Sequence, residues 1–477
     1  MVDLIIKNGI IITMNKTREI IQDGAIAIKG NYILDIGDTK NIREKYKAKR
    51  EIDASKMVVL PGLFDAHGHA GHSLLRSLGM HNDTWYQACE KIYSQASDLD
   101  FWKTDALLTN LERLKFGTTC GVTFFGGGDS VMRVDHPDFA KIHSDSVKKI
   151  GIRTFLAVGP RRPPYPRKYS RWSGDARRDY IVEFEDMMNN TKEIVKDNNG
   201  KNGGRVNIAV MFPTPHPERK SFSNVNIEDL KKQAQETYQI STDNNLMFTM
   251  DGHTKGTIKF CVEELNILGS NSLLSHSTEI TEEEIQICKK HDIRIAHNPS
   301  AVASITGRCP VPELIDAGVK VAMGSDAAAP DRSYDMFRHM FQAMRYHRRH
   351  YRDSKVLPPG KVLEMCTVDA AEAFGILDYT GSLETGKKAD LILVDMKKPH
   401  LHPLNMPVDK ITYFANGNDV DTVIVDGEIL MENREVKNVD EYEVLELANE
   451  HLELAVKRSG LKKLYELSSN YWQKSHY

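Results

Sequence analysis

Hydrophobic positions along the chain follow two different patterns. Near both ends, short β-branched stretches carry Asn-Gly or Gly-Asn pairs, a pattern typical of hairpins: LIIKNGIIITM and AIAIKGNYILDIG, then ADLILVD, ITYFANG and DTVIVDGEILMENREV far downstream. The segments at either end of the chain are, by themselves, too short to form an independent hydrophobic core. We therefore predict that the two terminal segments combine into one small β-sandwich.

Between these segments, apolar runs alternate with longer amphipathic stretches such as FWKTDALLTNLERLKFG. The candidate strands are MVVLPGLFDA, TTCGVTFFG, RTFLAVG, RVNIAVMFP, LMFTMDG, SLLSH, RIAHN and VKVAMGSD. Eight strands alternating with helices indicate an α/β fold, a (β/α)8 barrel of the TIM type. The alternative is an open, doubly wound sheet, but no GxGxxG turn follows an early strand.

This pattern divides the chain into four predicted parts. They are 1–59, the first part of the sandwich; 60–381, the catalytic barrel; 382–440, the second part of the sandwich; and 441–477, a C-terminal helical extension. The extension has helical spacing. We expect it to pack outside the barrel or against a partner subunit.

Composition excludes several classes of protein. The 477 residues are 40% hydrophobic and 27% charged with a net charge of −3, which gives no argument for nucleic acid or anionic membrane as a partner. No apolar run approaches the roughly 20 residues of a membrane helix, and the N-terminus lacks signal-peptide features. Six cysteines without a CxxC pair indicate reduced thiols. We expect a cytoplasmic protein.

Histidine or aspartate closes several of the predicted strands. In FDAHGHAGH, His67 and His69 are two residues apart and face the same side of a strand. With His253 after the fifth strand and Asp326 after the eighth, they supply three nitrogens and one oxygen, a set that suits zinc or ferrous iron. Each histidine alone would be an ordinary hydrogen-bonded residue, but active sites of barrels lie at these strand ends. His72 lies beyond the strand and is expected to be a loop residue, or a residue that packs against the metal ligands, and not a ligand itself.

Several motifs together resemble the amidohydrolase superfamily. They are FDAHGH after PGL, LLSHSTEITEEEI, HNPS, VAMGSDAAA and the segment LEMCTVDAAEAFGILDYTGSLETGKKADLILVDMKKPH. The closest branch contains atrazine chlorohydrolase, melamine deaminase and guanine deaminase. The resemblance covers nearly the whole chain and is weakest across residues 120–250.

The resemblance implies a set of roles for individual residues. His67, His69, His253 and Asp326 would bind one divalent metal ion, zinc or else iron. A bound cation lowers the pKa of its water from about 16 to about 7 and so supplies hydroxide at neutral pH. Asp326 would also take the proton from that water and pass it to the leaving group. His276, in LLSHSTE, would steady the oxygen that becomes anionic.

The implied activity is hydrolysis of a C–N bond, with release of ammonia or an amine from a nitrogen heterocycle or a similar small molecule. Within the enzymes, the alternative is hydrolytic ring opening or dehalogenation of a similar ring. Outside them, the alternative is a catalytically silent barrel that binds a metal or ligand. Family members are commonly homo-oligomers, so we expect a dimer or a tetramer.

The sequence departs from the family pattern at the fifth strand. Deaminase-like members carry HxxE there, whereas this chain has His253-Thr254-Lys255-Gly256, so Gly256 takes the place of the acid. A gapless alternative puts Met250 on the ligand histidine and His253 on the glutamate. We disfavour it because a thioether is a poor zinc ligand in an oxygen-and-nitrogen site. Three other residues could supply the proton: Asp251, His297 and Glu279.

The loop after the third strand, GPRRPPYPRKYSRWSGDARRDY, is rich in basic and aromatic residues. As a lid, its arginines, Arg161 first, would clamp an acidic substrate while Trp172 stacks on a planar ring. The alternative is a solvated basic loop or a subunit contact. His216 after the fourth strand and His297 after the seventh are further candidates for contact with the substrate.

Overall fold

The structure is a computed structural model that describes residues 1–82, 84–218, 222, 225–301 and 303–476. The strands are β1 (Val2–Ile12), β2 (Ile20–Lys29), β3 (Tyr32–Asp38), β4 (Ala48–Asp53), β5 (Met57–Pro61), β6 (Leu63–Asp65), β7 (Thr118–Phe124), β8 (Arg153–Val158), β9 (Arg167–Ser173), β10 (Ala176–Val182), β11 (Val206–Met211), β12 (Phe248–Met250), β13 (Ser272–Ser275), β14 (Arg294–His297), β15 (Val321–Met323), β16 (Leu391–Asp395), β17 (Val420–Val425), β18 (Glu428–Glu432) and β19 (Glu435–Val436). The α-helices are α1 (Thr39–Lys45), α2 (Trp85–Lys91), α3 (Leu99–Lys115), α4 (Pro137–Ile150), α5 (Phe184–Asn198), α6 (Lys201–Gly204), α7 (Ile227–Asp243), α8 (Thr257–Glu263), α9 (Glu282–His291), α10 (Ala303–Thr306), α11 (Val311–Asp316), α12 (Met336–Tyr351), α13 (Pro359–Met365), α14 (Val368–Ala373), α15 (Pro407–Asp409) and α16 (Glu441–Ser459).

The two ends of the chain build one nine-stranded mixed sheet, as the hairpin patterns predict. Strands β1–β5 join β16–β19 where β5 runs antiparallel to β16, with Val59 opposite Leu393. Buried aliphatic side chains from both segments, among them Ile26 and Leu391, form a core of their own on this sheet. The stretch ITYFANG does not become a strand, because Lys410–Phe414 continues α15 as a π-helical turn.

The eight strands β6, β7, β8 and β11–β15 run parallel in chain order and form the barrel. The first and last strands meet at the C-terminal end, where the Ala66 amide donates to the Met323 carbonyl at 2.8 Å. The predicted first strand divides at Gly62 into β5, which belongs to the sheet, and β6. A Cβ atom at Gly62 would lie 2.1 Å from the Thr119 hydroxyl oxygen, so only glycine fits at this crossing. The barrel prediction is confirmed.

A buried network of charges ties the sheet to the N-terminal end of the barrel. Arg153, the first residue of β8, donates from Nε to the Asp390 carboxylate at 2.6 Å and from Nη2 to that of Asp426 at 2.5 Å. Arg205 donates to the second oxygen of Asp426 at 2.8 Å. Because these groups are buried and paired in several directions, they fix the orientation of the sheet on the barrel.

At the opposite end, a second buried pair fixes the strands that carry the site. The Asp65 carboxylate, at the end of β6, accepts from Arg113 Nε and Nη2 at 3.0 and 2.7 Å. It also accepts from the Ser325 amide and hydroxyl at 2.8 and 2.7 Å. This one carboxylate therefore holds α3, the end of β6 and the loop after β15 in a fixed arrangement.

The basic loop after β8 forms the β9–β10 hairpin, and the C-terminal helix α16 packs beside it. Trp172 Nε1 donates to the Gln95 carbonyl at 2.8 Å, and the Arg458 guanidinium carbon of α16 lies 4.4 Å from the Trp172 ring centroid. Lys115 of α3 pairs with Glu441 at 2.5 Å. Helix α16 thus packs outside the barrel on its own chain. Among the described residues, no helix is both long and apolar enough to span a bilayer.

Candidate metal centre and active site

Five ionisable side chains converge at the C-terminal end of the barrel. His67 Nε2 lies 3.1 Å from His69 Nε2 and 3.3 Å from Asp251 Oδ1. Asp326 Oδ1 lies 3.2 Å from His69 Nε2, and His276 Nε2 lies 3.1 Å from Asp251 Oδ1. The five residues follow β6, β12, β13 and β15, so four of the eight barrel strands bring them to one point.

The spacing and chemistry of these atoms fit a divalent cation. The described residues contain two groups of three potential ligand atoms, and within each group all three atoms lie within 4.8 Å of one another. One group belongs to His67, His276 and Asp326, and the other to His67, His69 and Asp251. Two donors held about 2.0–2.1 Å from a tetrahedral ion are separated by about 3.4 Å. The separations between the imidazole nitrogens of His67 and His69, and from these nitrogens to the carboxylates of Asp251 and Asp326, are 3.1–3.7 Å and bracket this value. Imidazole and carboxylate together suit zinc and ferrous iron.

The charges at the site also favour a cation. Burial would raise the pKa of Asp251, but His67 and His276 hold it well below its usual range. Burial would likewise raise the pKa of Asp326, but Arg332 and the nearby imidazoles hold this pKa well below its usual range. Both carboxylates are therefore ionised at neutral pH. Burial lowers the pKa of His67, and the neutral form of an imidazole is the form that binds a metal.

The backbone holds these side chains in conformations that are rare for L residues. Asp326 has φ +66° and His276 has φ +63°, both in the left-handed region. The Asp326 amide donates to the His67 carbonyl at 2.8 Å, and the Tyr334 hydroxyl donates to the His69 carbonyl at 3.0 Å. Residues held in such backbone conformations cluster at functional sites, where the surrounding structure compensates for the strain.

At the fifth barrel strand, the structure brings in Asp251, whereas the sequence pattern predicts His253. Asp251 directly follows β12, and Gly252 then turns the chain with φ +84°. His253 is buried outside both groups of converging ligand atoms, and its Nδ1 lies 2.9 Å from the Thr257 hydroxyl. Met250 is the last residue of β12 and is also buried. The signal that sequence reasoning missed is that Asp251 is the first polar residue after the strand.

The three candidates for the missing acid lie in different surroundings. Asp251 lies in the cluster. The His297 ring faces His347, with 3.3 Å between their Nε2 atoms. Glu279 is exposed, and its carboxylate accepts from the Arg308 amide at 2.6 Å. Only Asp251 of the three is among the described residues that line the cavity over the cluster.

The predicted substrate contacts lie elsewhere, as far as the described residues show. Arg161 is buried, with its guanidinium 3.6 Å from the Glu90 carboxylate. Trp172 packs under α16, because the hairpin turns its ring toward Arg458. The ring of the partly exposed His216 accepts from the Glu218 amide at 3.1 Å. These three residues and His297 are absent from the described cavity wall.

A cavity of about 570 Å³ opens over the cluster. Beyond the cluster its wall holds aromatic and charged side chains, which include His72, Trp85, Tyr86, Asp129, Arg162 and Arg332. Arg162 of the basic loop pairs with Asp129, which follows three consecutive glycines, 126–128, after β7. The basic loop therefore reaches the site through Arg162, the neighbour of the predicted Arg161. His72, expected as a loop residue without a ligand role, is part of the wall.

Comparison with known proteins agrees with this architecture. A sequence model described as the amidohydrolase family matches residues 58–430. A 5-methylthioadenosine/S-adenosylhomocysteine deaminase of Pelotomaculum thermopropionicum is 30% identical over 455 residues, covering 93% of this chain and 97% of the relative. A 5'-deoxyadenosine deaminase of Methanosarcina acetivorans is 29% identical over 468 residues, covering 96% of this chain and 100% of the relative.

Solved structures show the same fold. An adenosine deaminase from Xanthomonas campestris with bound zinc has a TM-score of 0.80 at 20% identity, covering 96% of this chain and 99% of that one. Atrazine chlorohydrolase from Arthrobacter aurescens TC1, complexed with zinc, has a TM-score of 0.75 at 18% identity, covering 94% and 100%. The likeness extends over both the barrel and the terminal sheet.

Proposed function

This chain belongs to the amidohydrolase family, a family of metal-dependent hydrolases that act on C–N bonds, and on that premise we propose that it deaminates a nitrogen heterocycle. The observation that carries the proposal is the convergence of His67, His69, Asp251, His276 and Asp326 in one cavity. The names of the relatives, which are deaminases of adenosine-type compounds, support the same reaction class. Ammonia is then the leaving group.

We propose that one divalent ion, zinc or else iron, is bound by His67, His69, Asp326 and Asp251. Asp251 takes the role that the sequence pattern assigns to His253, because its carboxylate lies among the other ligand atoms. When bound, the ion supplies Lewis acidity and a water that is nucleophilic at neutral pH. A second carboxylate in place of an imidazole leaves the set compatible with zinc and adds affinity for harder ions such as iron.

The side chains around the ion transfer the proton and stabilise the developing negative charge. Asp326 is the group that accepts a proton from the nucleophilic water and passes it on. His276 lies at the cavity wall beside both carboxylates and donates to the oxygen that develops negative charge. The Asn298 side-chain amide lies 3.3 Å from His276 Nδ1 and so fixes the orientation of the ring. None of the described residues that line the cavity is a glutamate, so the proton for the leaving amine comes from this same Asp326–His276 pair.

The proposal is tested by measuring the metal and the product together. Protein purified without added metal should carry about one zinc or iron per chain by elemental analysis, and this content should fall in Asp251→Asn. His253→Asn is the matched control, since it changes a buried polar side chain of the same loop. Retention of metal in Asp251→Asn and its loss in His253→Asn would reverse the assignment.

Activity is measured as ammonia released from adenosine, 5'-deoxyadenosine, guanine and aminated triazines. Release from at least one compound, abolished by chelation and restored by zinc or iron, is the expected result. Conversion of a substrate without ammonia, with a ring-opened or dehalogenated product, would favour the alternative hydrolytic reaction. A metal-loaded protein that converts none of the compounds would contradict the deaminase proposal for these substrate classes.

A further inference from the structure

We propose that His72 and Arg332 form an anion-binding subsite beside the metal cluster, which selects substrates that carry a carboxylate or a similar planar anionic group. This inference rests on the proposed function, because the subsite shares the cavity with the proposed metal ion. It adds a substrate class, a negatively charged heterocycle, to the reaction type. Neither residue belongs to the proposed metal ligands.

His72 is fixed in the cavity wall with both ring nitrogens unused. Its neighbours Gly71 and Ser73 donate their amides to the buried Asp105 carboxylate at 2.5 and 3.0 Å, which fixes the backbone on either side. The ring lies between His69 and the aromatic side chains around it. It is 1% exposed, and within the described part of the chain neither Nδ1 nor Nε2 has a hydrogen-bond partner.

Arg332 is held as firmly and also keeps one nitrogen free of hydrogen bonds. Its Nε and Nη2 donate to the carbonyls of Ala327 and Ala329 at 2.6 and 2.7 Å, so the guanidinium cannot swing away. Nη1 is buried and forms no hydrogen bond with a described residue. The half-exposed Asp331 carboxylate approaches Nη1 to 3.5 Å, and the Asp326 carboxylate lies 3.7 Å from Nη2.

Such groups are costly unless a ligand completes them. A buried donor without a partner is destabilising, and the described side chains that line this cavity include two with such donors, the N–H of a neutral His72 and Nη1 of Arg332. A carboxylate is the simplest single group that could serve both residues, with one oxygen accepting from Arg332 Nη1 and the other from a His72 N–H. Both residues line the same cavity.

The charge of the cavity points in the same direction. Its described wall holds two arginines, Arg162 and Arg332, and three aspartates, Asp129, Asp251 and Asp326, so its net charge is −1 with neutral histidines. A divalent ion changes that charge to +1. Arg162 is hydrogen-bonded to Asp129 through Nε and Nη2, whereas Nη1 of Arg332 has no hydrogen bond with a described residue. Arg332 is therefore the cation better placed to meet an anionic substrate.

The aromatic side chains next to His72 supply a surface for a planar ring. Trp85 and Tyr86 lie with their ring centroids 4.1 Å apart, and the Trp85 ring contacts His72 at 5.8 Å between centroids. A flat heterocycle that carries an anionic substituent would thus meet an aromatic surface on one side and His72 with Arg332 at its substituent.

The test compares two probes of the same shape, benzoate and benzamide, titrated calorimetrically into the zinc-loaded enzyme. The wild-type protein should bind benzoate more tightly than benzamide. Arg332→Met should weaken benzoate binding about 10- to 100-fold, since a charge-assisted hydrogen bond in a buried site is lost, and leave benzamide binding nearly unchanged. Arg349→Met, at an exposed position of α12, is the matched control and should behave as wild type.

Equal binding of the two probes by the wild-type enzyme, or unchanged benzoate binding in Arg332→Met, would overturn the subsite. Zinc content is measured for each variant. If Arg332→Met loses zinc, the comparison passes to His72→Phe, which keeps the ring but removes its N–H. Benzoate should bind that variant about 10-fold more weakly, and unchanged binding would again overturn the proposal. Because no turnover is needed, a failure here is distinguishable from failure of the deaminase proposal.

Discussion

The barrel buries charged side chains at both of its ends, and the two clusters differ in how completely the protein satisfies them. At the N-terminal end, Arg153, Asp390 and Asp426 are hydrogen-bonded to one another, to Arg205 and to Thr380. No buried polar atom of these five side chains lacks a hydrogen-bond partner. That end holds the sheet on the barrel.

The C-terminal end uses similar residues and leaves several of them incomplete. Among the described residues, His67 Nδ1, both nitrogens of His72, His253 Nε2 and Arg332 Nη1 are buried without hydrogen bonds. Buried polar atoms without partners require an explanation in a native protein. The two clusters are alike in burial and charge, and they differ in how completely their hydrogen-bonding capacity is satisfied.

The largest effect is expected from removing the proton acceptor at the incomplete end. Asp326→Asn should lower kcat about 10²- to 10⁴-fold, because an amide cannot take a proton from the nucleophilic water. The measurement is the rate of ammonia release from a compound that the wild-type enzyme converts. Asp23→Asn changes an exposed carboxylate of β2 and should keep the wild-type rate. Equal rates in the two variants would exclude Asp326 from proton transfer.

A substitution in the hydrogen-bonded cluster at the N-terminal end should lower the stability of the protein and leave the chemistry of the site unchanged. Arg153→Met removes the cation from two buried carboxylates and should lower the free energy of unfolding by about 3–5 kcal/mol. Urea denaturation measures this change, while metal content per folded chain should stay as in wild type. Arg43→Met, which breaks an exposed pair with Glu51, should cost no more than about 1 kcal/mol. Loss of metal in Arg153→Met at full stability would contradict the division between the two ends.

A third buried group, His143, should make the stability of the protein depend on pH. Burial, assisted by the charge of Arg113, lowers the pKa of His143 to about 3, and neither ring nitrogen has a partner among the described residues. An unfolded histidine has a pKa near 6.5, so this group adds stability fully above pH 6.5. That contribution is lost as the pH falls toward 3, at about 1.4 kcal/mol per pH unit.

His143→Leu should therefore flatten the pH dependence of the unfolding free energy between pH 6 and 4 by the equivalent of about one proton. Urea denaturation at a series of pH values provides the measurement. His350→Leu, at an exposed position, should leave the slope as in wild type. An unchanged slope in His143→Leu would mean that the folded protein accommodates the imidazolium form.

The smallest effect is expected outside both clusters, at Trp172. Trp172→Phe removes the hydrogen bond to the Gln95 carbonyl and weakens the contact with Arg458, which should cost about 1 kcal/mol of stability. KM should stay unchanged, because the ring packs under α16 and away from the cavity. A raised KM at unchanged stability would restore the substrate-stacking role that the loop composition suggests.

Local patterns predicted those features that depend on residues close together in the chain. Alternation of short apolar runs with helices predicted the barrel, and the i, i+2 spacing in FDAHGH predicted that His67 and His69 face one point. The terminal hairpin signals predicted that both ends of the chain join. ITYFANG was a false strand, because β-branched composition alone does not distinguish a strand from a short helical turn.

Such patterns did not distinguish which residue after the fifth barrel strand reaches the cluster. Asp251 and His253 are both polar, both follow β12 and are two residues apart, so the sequence supports either. The turn at Gly252 and the contact between His253 and Thr257 decide which side chain points to the cluster. Both depend on backbone geometry after the strand ends, where strand periodicity no longer applies.

The sequence by itself determined the barrel, the terminal sheet and the polar ends of the strands, because periodicity and strand-end chemistry are local properties of the chain. Tertiary structure alone decided that Arg162 and not Arg161 lines the cavity, that Trp172 packs against the C-terminal helix, and that His72 and Arg332 line the same cavity. These relations join residues from distant parts of the chain. Their positions follow from how the β9–β10 hairpin and the strand-end loops pack, which no spacing along the sequence records.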